Sequence, residues 1–211
     1  TDRKPDQRNH RRQQIHTNQI HNGVFDVKRN GMTDREIIET ILEQKGNNLK
    51  TRLIEYTQKL EFADYDKNKK IHLCPGAENE HDFRNLIDGA EKILKKADEV
   101  WFVINYKGIP SADFIVRYGE VYKYVEQKSI TSIKSLKKEI DDAITQAHRF
   151  LLNIKDPKFS HKHISSILTE SFKEHNKLSE IILVQGGKYL SINRSEAESK
   201  SFYKWLRKSW R

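Results

Sequence analysis

Hydrophobic and polar positions along the chain follow two periods, and these periods divide it into helices and strands. Apolar residues that recur every three or four positions predict amphipathic helices, whereas short apolar runs and strict alternation predict strands. Helices are predicted at 34–45, 49–60, 78–96, 133–152, 160–175 and 195–210. Strands are predicted at 24–27, 71–74, 100–105, 113–117, 120–128, 152–154, 181–185 and 189–193. Strands and helices therefore alternate along much of the chain.

The order of these elements predicts the α/β (α+β) class, with a mixed central β-sheet flanked by helices. Residues 1–23 are polar and basic, and we interpret them as a flexible arm or linker because they can bury little apolar surface. Residues 24–70 are expected to form a helical N-terminal extension. Its first helix is opened by a capping box between Thr33 and Glu36. Residues 71–211 form the predicted main domain.

The stretch from Ser111 to Ser129 carries the strongest candidate chemistry. It predicts two strands joined at Tyr118-Gly119, and the second strand alternates strictly between two faces. Glu126 and Lys128 are two residues apart on that strand, so their side chains leave the same face. Asp113 opens the partner strand and is expected to lie beside them. Two carboxylates and one ammonium group that converge in this way can bind a divalent metal ion and orient water against a phosphodiester.

The segment from Ile71 to Arg194 resembles the PD-(D/E)XK nuclease superfamily in Asp113, in the run Glu126-Gln127-Lys128, and in the order of helices and strands around them. It is most similar to the C-terminal nuclease domains of polymorphic bacterial toxins. These include contact-dependent growth inhibition proteins and their relatives appended to phage head-morphogenesis proteins. Ser111 stands where the superfamily often has proline or asparagine, which is a mild departure.

The resemblance implies a nuclease-like domain over 71–211, with Asp113, Glu126 and Lys128 as its catalytic residues. It implies a divalent metal ion, with Mg²⁺ favoured and Mn²⁺ or Zn²⁺ as alternatives, bound by the two acids. The superfamily usually adds an acid from the helix before the hairpin, for which Glu80 is the first candidate and Glu91 the second. The helix dipole explains a glutamate near a helix N-terminus equally well.

The same resemblance implies hydrolysis of nucleic acid, with tRNA favoured over DNA. It also implies an acidic immunity protein as a partner. Delivery is expected from a larger secreted or phage-encoded parent into the cytoplasm of a target cell.

Composition adds a strongly basic balance. The 211 residues include 39 Lys and Arg against 30 Asp and Glu, which gives a formal net charge of +9. This excess favours a polyanionic partner such as nucleic acid, although a codon bias toward Lys and Asn would give the same balance. The candidate substrate-binding residues are Lys134, Lys137, Lys138, Arg149 and Arg194. Ordinary solvation explains the three lysines equally well.

Several classes of protein are disfavoured. Cys74 is the single cysteine, which excludes an internal disulfide and a cysteine-based zinc site. No apolar run reaches about 18 residues, so no membrane-spanning helix is predicted. The chain shows no secretory signal at Thr1 and begins in polar sequence without Met, so we expect a domain excised from a larger protein. As an isolated domain it is expected to be a monomer.

Three hypotheses follow from the sequence. A metal-dependent nuclease is favoured. A non-catalytic nucleic-acid-binding module on the same fold is the first alternative, and RNA binding without Mg²⁺-dependent cleavage would select it. A protein-interaction domain is the second, and the absence of binding to either nucleic acid at low salt would select that one.

Overall fold

The computed structural model describes residues 20–21, 24–25, 32–59, 61–155 and 160–210, so most of the predicted arm lies outside the described residues. The strands are β1 (Ile20–His21), β2 (Val24–Phe25), β3 (Ala63–Tyr65), β4 (Asn68–Leu73), β5 (Glu99–Phe102), β6 (Phe114–Tyr118), β7 (Val121–Ile130), β8 (Arg149–Ile154), β9 (Glu180–Gln185) and β10 (Lys188–Asn193). The helices are α1 (Asp34–Ile41), α2 (Gly46–Lys59), α3 (Phe83–Ile93), α4 (Ile133–Ala143), α5 (His161–Glu174), α6 (Arg194–Ala197) and α7 (Phe202–Ser209).

Strands β3 to β10 form one mixed sheet, in which each strand lies beside its neighbours in the chain. The pairs β4–β5, β7–β8 and β8–β9 are parallel, and the chain crosses between them through α3, α4 and α5. The other pairs are antiparallel. The sheet confirms the predicted α/β (α+β) class, a mixed sheet flanked by helices.

Strand β7 changes partner along its length. Residues 121–125 pair with β6, and residues 126–130 pair with β8. Successive side chains on a strand point to opposite faces of the sheet. Gln127 therefore points to one face, whereas Glu126 and Lys128 point to the other.

Helix α3 packs closely on the face that carries Gln127. The side-chain Nε2 of Gln127 donates a hydrogen bond of 2.7 Å to the carbonyl oxygen of Asn85. A Cβ atom at Gly89 would lie 1.5 Å from Gln127 Oε1, so only glycine allows this approach. Farther along the helix, Lys92 Nζ donates to Asn153 Oδ1 at 2.8 Å. These contacts fix α3 to β7 and β8.

Helices α1 and α2 share the hydrophobic core with the sheet. Thr33 and Glu36 form the predicted capping box, which opens α1. Ile37 of α1 and Tyr56 of α2 are fully buried in the same core cluster as the central strands. The Tyr56 hydroxyl accepts a 2.8 Å hydrogen bond from the backbone N–H of Ile104, which follows β5. The boundary predicted at residue 70 falls inside β4, so the N-terminal segment is packed with the rest of the fold.

The helix predicted at 133–152 is wrong in its second half. α4 ends at Ala143, and the sequence from Arg149 onward forms β8. Phe150 and Leu151 continue the helical spacing of apolar residues, but they are completely buried as strand residues paired with β7. Tertiary pairing overrides the local pattern here.

Two further helix boundaries also differ from the prediction. The helix predicted from residue 78 begins at Phe83, because the chain first makes a 3₁₀ turn at Ala77–Asn79. The predicted closing helix is divided into α6 and α7. Between them, the hydroxyl of Ser199 accepts a hydrogen bond from the backbone N–H of Ser201, and such local bonds compete with helix formation.

Within the described residues, no helix is long and apolar enough to cross a membrane.

Candidate active site

The structure brings together the three residues at the centre of the sequence argument. Asp113 lies just before β6, and its Oδ2 accepts a hydrogen bond of 2.7 Å from the backbone N–H of Gln127. On β7, Glu126 Oε1 lies 2.7 Å from Lys128 Nζ. Asp113, Glu126 and Lys128 all line one cavity with a volume of about 690 Å³.

The change of partner along β7 explains why the site forms at this point. Phe114 is the first residue of β6 that pairs with β7, so Asp113 lies just outside the ladder. Its carboxylate accepts a hydrogen bond from the backbone N–H of Gln127. If β6 extended to this position, a backbone carbonyl of β6 would accept that hydrogen bond instead. The carbonyl oxygen of Asp113 accepts from the N–H of Val103 at 2.9 Å, which ties this residue to the end of β5.

Burial and like charge make the two carboxyl groups reluctant to ionise together. Burial raises the pKa of Asp113 well above its usual range, and the nearby charge of Glu126 raises it further. Burial also raises the pKa of Glu126, although Lys128 opposes this shift. Burial lowers the pKa of Lys128, but the ion pair with Glu126 outweighs that effect and the net pKa is raised. The ammonium group therefore stays protonated at neutral pH.

These features fit a divalent metal ion. The Glu126 side chain is 3% exposed, and its Oε2 atom has no hydrogen-bond partner among the described residues. An unpartnered buried carboxylate oxygen beside a second carboxylate is a position that a cation would stabilise. Carboxylate oxygens suit Mg²⁺ or Mn²⁺. Cys74 also lines the cavity, but burial and the charge of Glu80 raise its thiol pKa to about 12.

The structure distinguishes the two candidates for a third acid. Glu80 is partly buried and lines the cavity, whereas Glu91 is exposed on α3 and does not line it. Glu80 follows the 3₁₀ turn instead of lying in α3. Asp82, which sequence reasoning missed, lines the same cavity, and its charge acts on Asp113. Glu80 and Asp82 therefore share the cavity with Asp113 and Glu126, although among the described residues no three of these acids bring ligand atoms within 4.8 Å of one another.

Another group of side chains could hold a metal ion elsewhere. Asp141, Glu174 and His175 each offer a ligand atom within 4.8 Å of the others, and this is the one such set among the described residues. Lys137 already donates hydrogen bonds to Asp141 and Glu174. His175 Nε2 lies 2.7 Å from Asp141 Oδ1. Lys137 and these three residues therefore form an ion-pair cluster between α4 and α5.

The five residues predicted to bind substrate all lie outside the cavity lining. Lys134 and Lys138 are exposed on α4, where they remain available to a large polyanion. Lys137 belongs to the ion-pair cluster. The prediction that these lysines bind substrate stays a prediction, and any contact would be made outside the cavity.

The two arginines have structural partners. Arg149 Nε lies 3.4 Å from Glu180 Oε2. Arg194 donates to the carbonyl oxygens of Phe172, His175 and Leu178, which closes the C-terminal end of α5. Both guanidinium groups therefore have partners within the fold, and their predicted contact with substrate stays a prediction.

Four polar residues line the cavity that the sequence did not single out: Asn79, Asn105, Lys107 and Gln146. They come from three separate loops, namely the 3₁₀ turn, the loop after β5 and the loop after α4. Loop residues have no periodicity that would mark them, so only their proximity in the fold reveals them.

Comparison with known proteins adds no relative. No family model, curated protein or solved structure matches this chain.

Proposed function

We propose that this chain is a metal-dependent nuclease domain that hydrolyses phosphodiester bonds, with tRNA favoured over DNA. One observation carries the proposal. Asp113, Glu126 and Lys128 meet in a single cavity, and a buried oxygen of Glu126 has no partner among the described residues.

In this proposal Asp113 and Glu126 would hold a divalent ion, with Glu80 as the further acid. The bound ion would lower the pKa of a water molecule and neutralise charge that develops on the phosphorus oxygens. The protein contributes two carboxylates that line one cavity, one of them almost fully buried. The hydrogen bond from Gln127 N–H fixes Asp113 before any ligand arrives, so little reorganisation is needed.

Lys128 would stabilise the charge that develops on the phosphate or orient the attacking water. Its ammonium group is protonated and is held beside Glu126 at 2.7 Å. Ammonium groups that are positioned before the reaction stabilise a developing negative charge more effectively in a recess than in open water. A neutral side chain at this position would lose that stabilisation.

The basic surface would supply a grip on the phosphate backbone that does not depend on sequence. The net charge of +9 attracts nucleic acid, and exposed lysines such as Lys134 and Lys138 are available for it. The toxin resemblance supports an acidic immunity protein that covers this surface, a monomeric domain, and delivery by a larger parent into a target cell.

Cleavage assays test the proposal. Purified protein is incubated with total tRNA, rRNA and plasmid DNA, with Mg²⁺ or with EDTA, beside Lys128→Ala and Asp113→Ala. We expect Mg²⁺-dependent cleavage that both substitutions reduce by at least about 100-fold while thermal unfolding stays cooperative. The matched control Lys188→Ala, an exposed lysine on β10, should cleave like the parent.

Two outcomes would reject the assignment. Full activity in Lys128→Ala would remove this residue from the mechanism. Binding of RNA without cleavage under any divalent ion would select the non-catalytic binding module instead.

A further inference from the structure

The cavity holds a second set of polar groups beside its acids, which we call the amide set: Asn79, Asn105, Lys107 and Gln146. Their side chains make no hydrogen bond or ion pair with any part of the chain that the structure describes. Lys128, the other lysine in the lining, is instead paired with Glu126. Asn79, Asn105 and Lys107 are exposed and Gln146 is partly buried, so the amide set presents solvated donors and acceptors in the lining that it shares with Asp113, Glu126 and Lys128.

We propose that the amide set recognises one unpaired nucleotide, whose phosphate reaches Asp113, Glu126 and Lys128; this inference rests on the proposed nuclease function. Carboxamides both donate and accept hydrogen bonds, so they can match the edges of a nucleobase. Lys107 adds a cation that can reach a phosphate or a base oxygen. Leu86, Phe102 and Ile104 also line the cavity, but they are at most 6% exposed, so they offer a base only a small apolar surface.

The depth of the site argues against a paired substrate. The Glu126 side chain is 3% exposed, so a phosphate must enter the recess to approach it. A cavity of about 690 Å³ is of the size that encloses a small molecule, and it is too small to admit a double helix. In a duplex the base edges that identify a nucleotide are engaged in pairing, and proteins that read them act on loops, ends or extruded bases. The nucleotide in the cavity must therefore leave its stack.

The residues of the amide set come from separate parts of the chain. Asn79, Asn105 and Gln146 lie on three loops that follow β4, β5 and α4. The loop after β5 is tied to α2 through the bond between Ile104 N–H and the Tyr56 hydroxyl. The N-terminal helices thereby support a part of the cavity that would contact the base.

Binding without cleavage tests the proposal. The full chain is titrated in EDTA into a fluorescent single-stranded RNA and into a blunt RNA duplex of the same length, and the dissociation constants are read by anisotropy. We expect the single strand to bind at least about tenfold more tightly than the duplex. Asn105→Ala and Lys107→Ala should each lose about tenfold affinity for the single strand and keep their affinity for the duplex.

Matched controls come from other exposed residues. Asn176→Ala and Lys188→Ala remove the same side chains outside the cavity and should bind like the parent. Equal binding of strand and duplex by the parent would overturn the proposal. So would unchanged single-strand affinity in both cavity variants.

The result is separate from that of the cleavage assay. Selective single-strand binding that depends on Asn105 and Lys107 supports the inference even when no divalent ion gives cleavage, an outcome that would reject the nuclease alone. The converse outcome is cleavage that requires Lys128, with no change in binding or nucleotide preference when the amide set is substituted. That outcome supports the nuclease and rejects the inference.

Discussion

At the scale of single residues, the carboxyl groups of Asp113 and Glu126 place electrostatic strain at the site. Burial raises the pKa of each group, and the charge of Glu126 raises the pKa of Asp113 further. A carboxyl group whose pKa is raised in the folded state reduces stability at any pH where it ionises in the unfolded chain but resists ionisation in the folded protein. The metal-free protein should therefore lose stability from these groups as the pH rises above about 4, the ordinary pKa of a carboxyl group.

Asp113→Asn should relieve this strain. The amide oxygen can still accept the N–H of Gln127, while the repulsion with Glu126 disappears. In EDTA at neutral pH we expect the free energy of unfolding to rise by about 1 kcal/mol, with loss of cleavage, as is common when a strained site is neutralised. Thermal unfolding with EDTA and with Mg²⁺ measures this. The parent should gain stability from Mg²⁺ and the variant should not. A variant less stable than the parent in EDTA would contradict the prediction.

Gly89 is the residue whose substitution should disturb the fold most directly. Alanine normally favours a helix over glycine by about 1 kcal/mol. Here its Cβ would lie 1.5 Å from Gln127 Oε1, and moving that buried amide breaks its bond to Asn85. We expect Gly89→Ala to lower the free energy of unfolding by about 2 kcal/mol in urea denaturation.

The double variant Gly89→Ala/Gln127→Ala isolates the cause of that loss. Shortening residue 127 vacates the space that the new Cβ needs, so the two losses should be less than additive. Strict additivity would show that the contact between these two residues is not the source of the effect.

At the scale of elements, α3 is held against β8 by charge as well as by packing. Burial raises the pKa of Asp88, but hydrogen bonds from Lys155, Lys92 and Asn153 outweigh that effect and lower it below the usual range. A carboxyl group with a lowered pKa contributes stability above its ordinary pKa, near 4, and loses that contribution as the pH falls further.

Asp88→Asn should therefore be less stable than the parent at neutral pH, because it loses the ionised partner of two lysines. The difference should shrink as the pH falls below about 4, because Asp88 then binds a proton in the unfolded chain while it stays ionised in the folded parent. Urea denaturation of both proteins over a pH series measures it. A gap that stays constant with pH would show that Asp88 acts through its shape instead of its charge.

At the scale of the whole molecule, the net charge should dominate association with nucleic acid. Each phosphate contact with a single strand contributes about −0.7 to the slope of log affinity against log salt. Contacts with roughly three phosphates therefore predict a slope of about −2. Anisotropy titrations of single-stranded RNA over a range of KCl concentrations measure it, and an affinity that ignores salt would argue for a protein partner.

Some local features could be predicted because their causes lie within a few residues. The capping box of Thr33 and Glu36 is a local exchange of hydrogen bonds, and it opens α1 as expected. The alternation along β7 put Glu126 and Lys128 on one face, which the structure also shows. The helix expected through Leu152 failed because pairing between β7 and β8 joins residues 24 apart, such as Glu126 and Phe150. The spacing of apolar residues along the chain cannot reveal a strand partner so distant in sequence.

The sequence by itself determined the class of fold and the hairpin residues that meet at the cavity, because both depend on side-chain period and on short spacings. Only the tertiary structure decided that Glu80 and Asp82 line the cavity whereas Glu91 does not, and which loops contribute the amide set. It also assigned Arg194 to the end of α5. Those outcomes depend on where separate segments are brought together by the sheet and its crossovers, and that arrangement is a property of the packed chain as a whole.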